Sequence, residues 1–108
     1  MIRLATKEQY QYKAEVAKAL AHWSRLMIVD ALAGEDQSVG RLTEMIGSDV
    51  STVSRHLSVL KGVGIVSAQK EGNLVLYHLE TPCVTDFFDC ALEVLRASSR
   101  TQQRAISG

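Results

Sequence analysis

The 108-residue sequence has one proline, two cysteines, no net charge and only 6% aromatic residues, and it contains no long apolar run. Each shortage excludes something. No stretch approaches the roughly 18 consecutive apolar residues that a membrane helix needs. Met1-Ile2-Arg3-Leu4-Ala5-Thr6-Lys7-Glu8 turns polar before the apolar segment of a signal peptide could form, so the expectation is a cytoplasmic protein with no membrane partner. Two cysteines are too few to staple a small scaffold, which leaves Cys83 and Cys90 for ligand or redox chemistry rather than architecture. Twelve Lys and Arg balance twelve Asp and Glu, so bulk charge argues for no polyanionic partner and any nucleic-acid surface must be local. No nucleophile–base pair, phosphate loop or metal-ligand cluster is visible, and no enzymatic activity is expected.

What is present is an ordinary core-forming composition, 46% hydrophobic and 22% charged, in a length that suits one domain spanning residues 1–108. Thr6-Lys7-Glu8-Gln9 has the form of a capping box, and from Tyr10 to Leu32 no Gly or Pro interrupts a helical spacing of apolar residues. A break near His22-Trp23-Ser24 would divide this stretch in two, with Ser24 as the second cap. Gly34 ends it, and Glu35-Asp36-Gln37-Ser38 reads as a loop. Val39, Leu42, Met45 and Ile46 predict a short third helix ending at Gly47. Asp49 then caps a fourth, whose apolar face carries Val50, Val53, Leu57 and Leu60. Ile65 to Gln69 and Leu74 to Leu79 are strand-prone runs joined by the turn cluster Lys70-Glu71-Gly72-Asn73. Thr81-Pro82 opens a last helix with the stripe Val84, Phe87, Phe88, Ala91 and Leu95. The polar tail from about residue 97 to 108 is expected to fray.

The predicted class is mainly α with a small β component: a winged helix-turn-helix ordered α-α-α-α-β-β-α. In such folds the second helix of the motif enters the major groove and the hairpin lies along the backbone. Ser51, Thr52, Ser54, Arg55 and His56 cluster early on the fourth helix, and all of them can hydrogen-bond base edges or phosphates. The run Asp49-Val50-Ser51-Thr52-Val53-Ser54-Arg55-His56-Leu57-Ser58-Val59-Leu60-Lys61, followed by Gly64-Ile65-Val66, resembles the recognition-helix signature of the ArsR/SmtB family of winged-helix repressors. The resemblance extends to Leu20-Ala21 and Ser24-Arg25-Leu26 on one side and to Tyr77-His78-Leu79 on the other. It implies a homodimer joined through its terminal helices that binds double-stranded operator DNA without a cofactor and releases it when an inducer binds. On this likeness Ser51, Thr52, Ser54, Arg55 and His56 face DNA, Lys70 and Asn73 belong to the wing tip, and Arg41 and Lys61 add phosphate contacts.

Within that resemblance the departures bear on the inducer. Ser38-Val39-Gly40 stands where many arsenic and heavy-metal sensors of the family place Cys-Val-Cys, and the last helix has no His for a zinc site. Cys83 and Cys90 remain. Seven residues apart on one helix, they lie about 10.5 Å apart along its axis. That is too far for a disulfide, which needs Cα atoms about 4.4–6.8 Å apart. Two thiolates on one ion would likewise lie no more than about 4.6 Å apart. Antiparallel last helices across a two-fold axis could pair the thiols between subunits. Such a dithiol suits trivalent arsenic or antimony or a soft metal, with water, Asp86 or His22 as a third ligand, and it could equally oxidise or react with persulfide. Inert cysteines packed as small hydrophobes are the remaining alternative. His22 and His78 are expected to satisfy local hydrogen bonds, and Tyr10, Tyr12 and Trp23 to serve core and dimer packing.

Overall fold

The computed structural model describes residues 4–107, with side chains up to residue 100. The first helix, α1 (Lys7–Leu20), opens on the predicted capping box: the Thr6 hydroxyl accepts from Gln9 N–H at 3.2 Å, and Gln9 Oε1 accepts from Thr6 N–H at 2.9 Å. The break falls where the sequence placed it, but the cap of α2 (Trp23–Gly34) is His22 rather than Ser24. His22 Nδ1 accepts from Ser24 N–H at 3.1 Å, and Ser24 itself is buried.

Gln37 and Ser38, read as loop, form a two-residue strand, β1 (Gln37–Ser38). Ser38 then caps α3 (Val39–Ile46), which ends at Gly47 with φ of 75°. Asp49 caps α4 (Val50–Gly62). The wing is β2 (Val66–Glu71) and β3 (Leu74–Leu79), antiparallel from Val66↔Leu79 to Glu71↔Leu74. Its two-residue turn puts φ of 62° on Gly72 and a negative φ on Asn73, the φ signature of a type II′ turn. The sheet order is β1-β3-β2, with Gln37 opposite Tyr77 and Ser38 opposite Leu76, so the wing is stitched to the residues just before α3.

The last helix, α5 (Cys83–Ser107), continues through the polar segment expected to fray. That segment contains no Gly or Pro before the final residue and is rich in Ala, Arg and Gln, which favour helix. No helix among the described residues is long and apolar enough to cross a membrane.

The core lies between α2, α3, α4 and the base of the wing, with Ile28, Val29, Leu42, Val53, Leu57, Leu60 and Ile65 essentially solvent-free. From α1, Ala19 and Leu20 join it, while α5 contributes only the half-buried Val84 and Phe88. The other members of the predicted α5 stripe, Phe87, Ala91 and Leu95, are exposed. Tyr10, Tyr12 and Trp23 are also surface residues rather than core ones. Tyr12 is nonetheless anchored, its hydroxyl donating to the Val63 carbonyl at 2.7 Å and tying α1 to the end of α4.

Candidate nucleic-acid interface

Geometry at the start of α4 follows from its cap. Asp49 Oδ1 accepts from Thr52 N–H at 2.7 Å. That bond holds the Asp49 carboxyl below the ordinary carboxylate range, with the Thr52 hydroxyl and the charge of Arg55 acting in the same direction. Thr52 is therefore half-buried and engaged with its own cap, whereas Ser51, Ser54 and Arg55 are exposed.

One predicted contact is overturned. His56 is only 7% exposed, because positions 53, 56, 57 and 60 follow the i, i+3, i+4, i+7 spacing that faces the core. Its ring accepts at Nδ1 from Arg25 Nε–H of α2 at 3.1 Å and packs against His22 with centroids 4.7 Å apart. His56 thus lies behind the exposed face of α4 and is not part of it. Val50, assigned to the apolar face, is instead 54% exposed in the first turn.

The same period reveals a position that the sequence reading passed over. Ser58 is exposed one turn beyond Ser54 and Arg55, so Ser51, Ser54, Arg55, Ser58 and Lys61 form one outward stripe along α4. A helix presenting small hydroxyls and one guanidinium can enter a major groove, offering adaptable donors and acceptors together with the fork that matches guanine O6 and N7. Arg41 is exposed on α3 and pairs with Glu44 at 3.3 Å. A pair so exposed contributes little and is readily exchanged for a phosphate. Lys70 lies in β2 opposite Val75, two residues short of the turn, and Asn73 is at the wing tip; both are exposed. On the other side of β3, His78 Nδ1 meets Asp36 Oδ1 at 2.7 Å, which braces the wing against the segment leading into β1.

The two cysteines are far from this surface in sequence and sit on a different element. Both are free and exposed on α5. Cys83 also borders a groove of about 290 Å³ between α1 and α5, whose lining includes Val16, Leu20, Phe87, Phe88 and Lys13. Among the described residues no three His, Cys, Asp or Glu side chains are grouped to hold a metal ion. His22, considered above as a third ligand, has its Nδ1 committed to capping α2.

Comparison with known proteins agrees with this architecture. The family described as "Bacterial regulatory protein, arsR family" matches residues 23–68. The relative described as "Uncharacterized HTH-type transcriptional regulator Rv0081" of Mycobacterium tuberculosis is 37% identical over 87 residues, which is 80% of this chain and 76% of that protein. Its crystal structure superposes with a TM-score of 0.74 at 33% identity, covering 90% of this chain and 98% of that one. The homodimeric winged helix-turn-helix DNA-binding domain of Mb0332 from Mycobacterium bovis gives a TM-score of 0.71 at 30% identity, over 95% of both chains. The cadmium resistance transcriptional regulatory protein CadC of Listeria innocua is 41% identical over 64 residues, 58% of this chain and 54% of that protein. Sharing more than a third of its aligned residues, and its fold along nine-tenths of its length, with an HTH-type transcriptional regulator, the chain belongs to the arsR family of bacterial regulatory proteins, which act on transcription by binding DNA.

Proposed function

We propose that the protein is a homodimeric transcriptional repressor that binds a two-fold operator through α4 and the wing. It leaves the operator when Cys83 and Cys90 bind a trivalent metalloid, arsenite or antimonite, or a soft metal ion. The observation that carries the reading is the outer face of α5. Cys83, Phe87, Cys90 and Val94 stand at i, i+4, i+7 and i+11, all exposed, so both thiols lie on one apolar stripe that its own protomer covers only where Cys83 and Phe87 border the groove against α1. An exposed apolar stripe on a long helix marks a protein–protein surface. The homodimeric state of the Mb0332 domain supports a second copy as the cover, and the cadmium-resistance role in CadC's name supports soft-metal chemistry.

Within one helix the two thiols are about 10.5 Å apart and can neither bridge nor chelate. Antiparallel pairing of two α5 helices would place Cys83 beside Cys90 of the partner subunit, twice per dimer. Ligation there fixes the angle between subunits, and with it the spacing of the two α4 helices, which must match half-sites about one helical turn apart. A mismatch that loses one half-site costs several kcal/mol, ample for release.

Exposure of both thiols also favours a second reading, oxidation by a peroxide to an intersubunit disulfide. Two thiols would lose two protons and two electrons as the S–S bond forms, and the peroxide's O–O bond would break to give two waters, or an alcohol and one water. Fluorescence anisotropy of the reduced protein on duplex DNA from its own upstream region separates the two. Release by arsenite or cadmium under reducing conditions, lost in Cys83→Ser and Cys90→Ser, establishes the first reading. Release by peroxide alone establishes the second. Normal release in both serine variants would overturn a thiol sensor of either kind.

A further inference from the structure

Among the buried residues of α4, His56 is the one polar side chain, and it faces away from the outward stripe. Arg25 donates Nε–H to His56 Nδ1 at 3.1 Å and Nη1–H to the Ala19 carbonyl at 3.2 Å. One guanidinium therefore joins the last turn of α1, the first turn of α2 and the middle of α4. Arginine only donates, so the Nδ1 that receives it must carry a lone pair, and the neutral His56 ring then holds its proton on Nε2.

We propose that Arg25 and His56 form a positioning clamp for sequence-specific DNA binding: Arg25 holds α4 in its angle to the α1–α2 layer through neutral His56, and protonation of His56 opens the clamp. The inference rests on α4 reading DNA and is independent of the cysteines. A proton on Nδ1 removes the acceptor and sets a second cation against Arg25. The charged and titratable groups acting on His56 are His22, the cap of α2, Arg25 of α2 and Arg55 of α4 itself, while α1 contributes the Ala19 carbonyl that Arg25 takes. Burial first, then these three groups, hold the His56 pKa below its ordinary 6.5. An opened clamp lets α4 shift against its support. Base-edge hydrogen bonds need placement to about 0.5 Å, whereas attraction to phosphates tolerates looser placement. The loss therefore falls on discrimination between operator and other DNA rather than on binding as such.

The test uses the full-length protein, an operator duplex selected from random sequence near pH 8, and a scrambled duplex of equal length. Anisotropy gives the ratio of the two affinities from about pH 8 to about pH 5.5 at fixed ionic strength, a range that spans the ordinary histidine pKa. For the native chain the ratio is expected to fall severalfold by about pH 5.5, since a ring whose pKa lies below 6.5 is only partly protonated there. His56→Asn places an amide oxygen near the Nδ1 position and cannot titrate, so it should hold the ratio within about twofold across the range. Arg25→Ala should lower the ratio at every pH. A nitrogen-detected NMR spectrum near pH 8 should show the neutral His56 ring protonated on Nε2. The proposal is overturned if His56→Asn follows the native pH profile, if folded Arg25→Ala keeps the native ratio near pH 8, or if the ring proton sits on Nδ1. Should Arg25→Ala fail to fold, the asparagine variant and the tautomer decide the matter.

Discussion

Adjacent residues on α4 have opposite fates. Arg55 points outward and His56 inward, although both are basic and both stand in the run that suggested DNA contact. Arg55→Ala should cost about 1–3 kcal/mol of operator affinity if the guanidinium reads a base, with relaxed selectivity at that base pair. If it meets a phosphate instead, affinity should fall about uniformly across sequences and the salt slope should drop by about 1. Anisotropy on matched and mismatched duplexes over a salt series separates the two. Beside β3, the hydrogen bond and charge of Asp36 raise the pKa of His78 above its ordinary 6.5. A histidine with a raised folded pKa stabilises the fold in full below its unfolded value and loses that contribution as pH rises through the folded one. The ring titration of His78 should therefore have its midpoint above 6.5, and Asp36→Asn should bring it down. An unchanged midpoint in that variant would remove Asp36 as the cause. His56 runs the other way: its contribution is present above pH 6.5 and is lost as pH falls through its depressed folded value.

At the level of elements, local signals were legible wherever the chemistry is local. The capping box at Thr6, the Asp49 cap and the glycine stop at Gly47 each depend on backbone conformation within a few residues and stand where the sequence placed them, while the turn expected over Lys70-Glu71-Gly72-Asn73 narrows to Gly72-Asn73 because Lys70 and Glu71 pair in β2. Gly47 tests that logic. Its φ of 75° suits glycine, and an added Cβ would meet no atom within 4 Å, so Gly47→Ala incurs only the backbone penalty. That penalty is about 1–2 kcal/mol, a fall in melting temperature of about 4–8 °C per kcal/mol for a domain near this size. Calorimetry showing no change would mean that the turn between α3 and α4 relaxes to another conformation. Strand β1 was illegible for the opposite reason. Two polar residues have no measurable period, and their pairing with Tyr77 and Leu76 depends on a hairpin about forty residues away.

The molecule as a whole is more extended than a closed domain. Its radius of gyration is 17.4 Å, against about 13 Å for a compact chain of this length. Two helices extend away from the core, since residues 7–15 of α1 and residues 91–100 of α5 are exposed throughout. Phe87 lies on α5, 66% exposed with one edge-to-face contact to Phe88, and its replacement should cost the protomer no more than about 1.5 kcal/mol. Phe87→Glu, which sets like charges together at a two-fold interface, should shift sedimentation from dimer towards monomer. Operator affinity should fall with it, because a monomer meets a single half-site. A stable dimer with native affinity in this variant would place the interface elsewhere.

By itself the sequence determined the class of fold, the order of helices, the wing and the position of the recognition helix, because caps, turns and hydrophobic period act through neighbouring residues. Only the tertiary structure decided where the buried face of α4 ends, that Arg25 reaches from α2 to His56, that β1 binds the wing to α3, and that both cysteines are exposed on α5. Those features depend on which surfaces pack against each other. A helical period shows that a face will be buried, but the contacts between distant segments settle where the buried face ends and what partners its polar groups find.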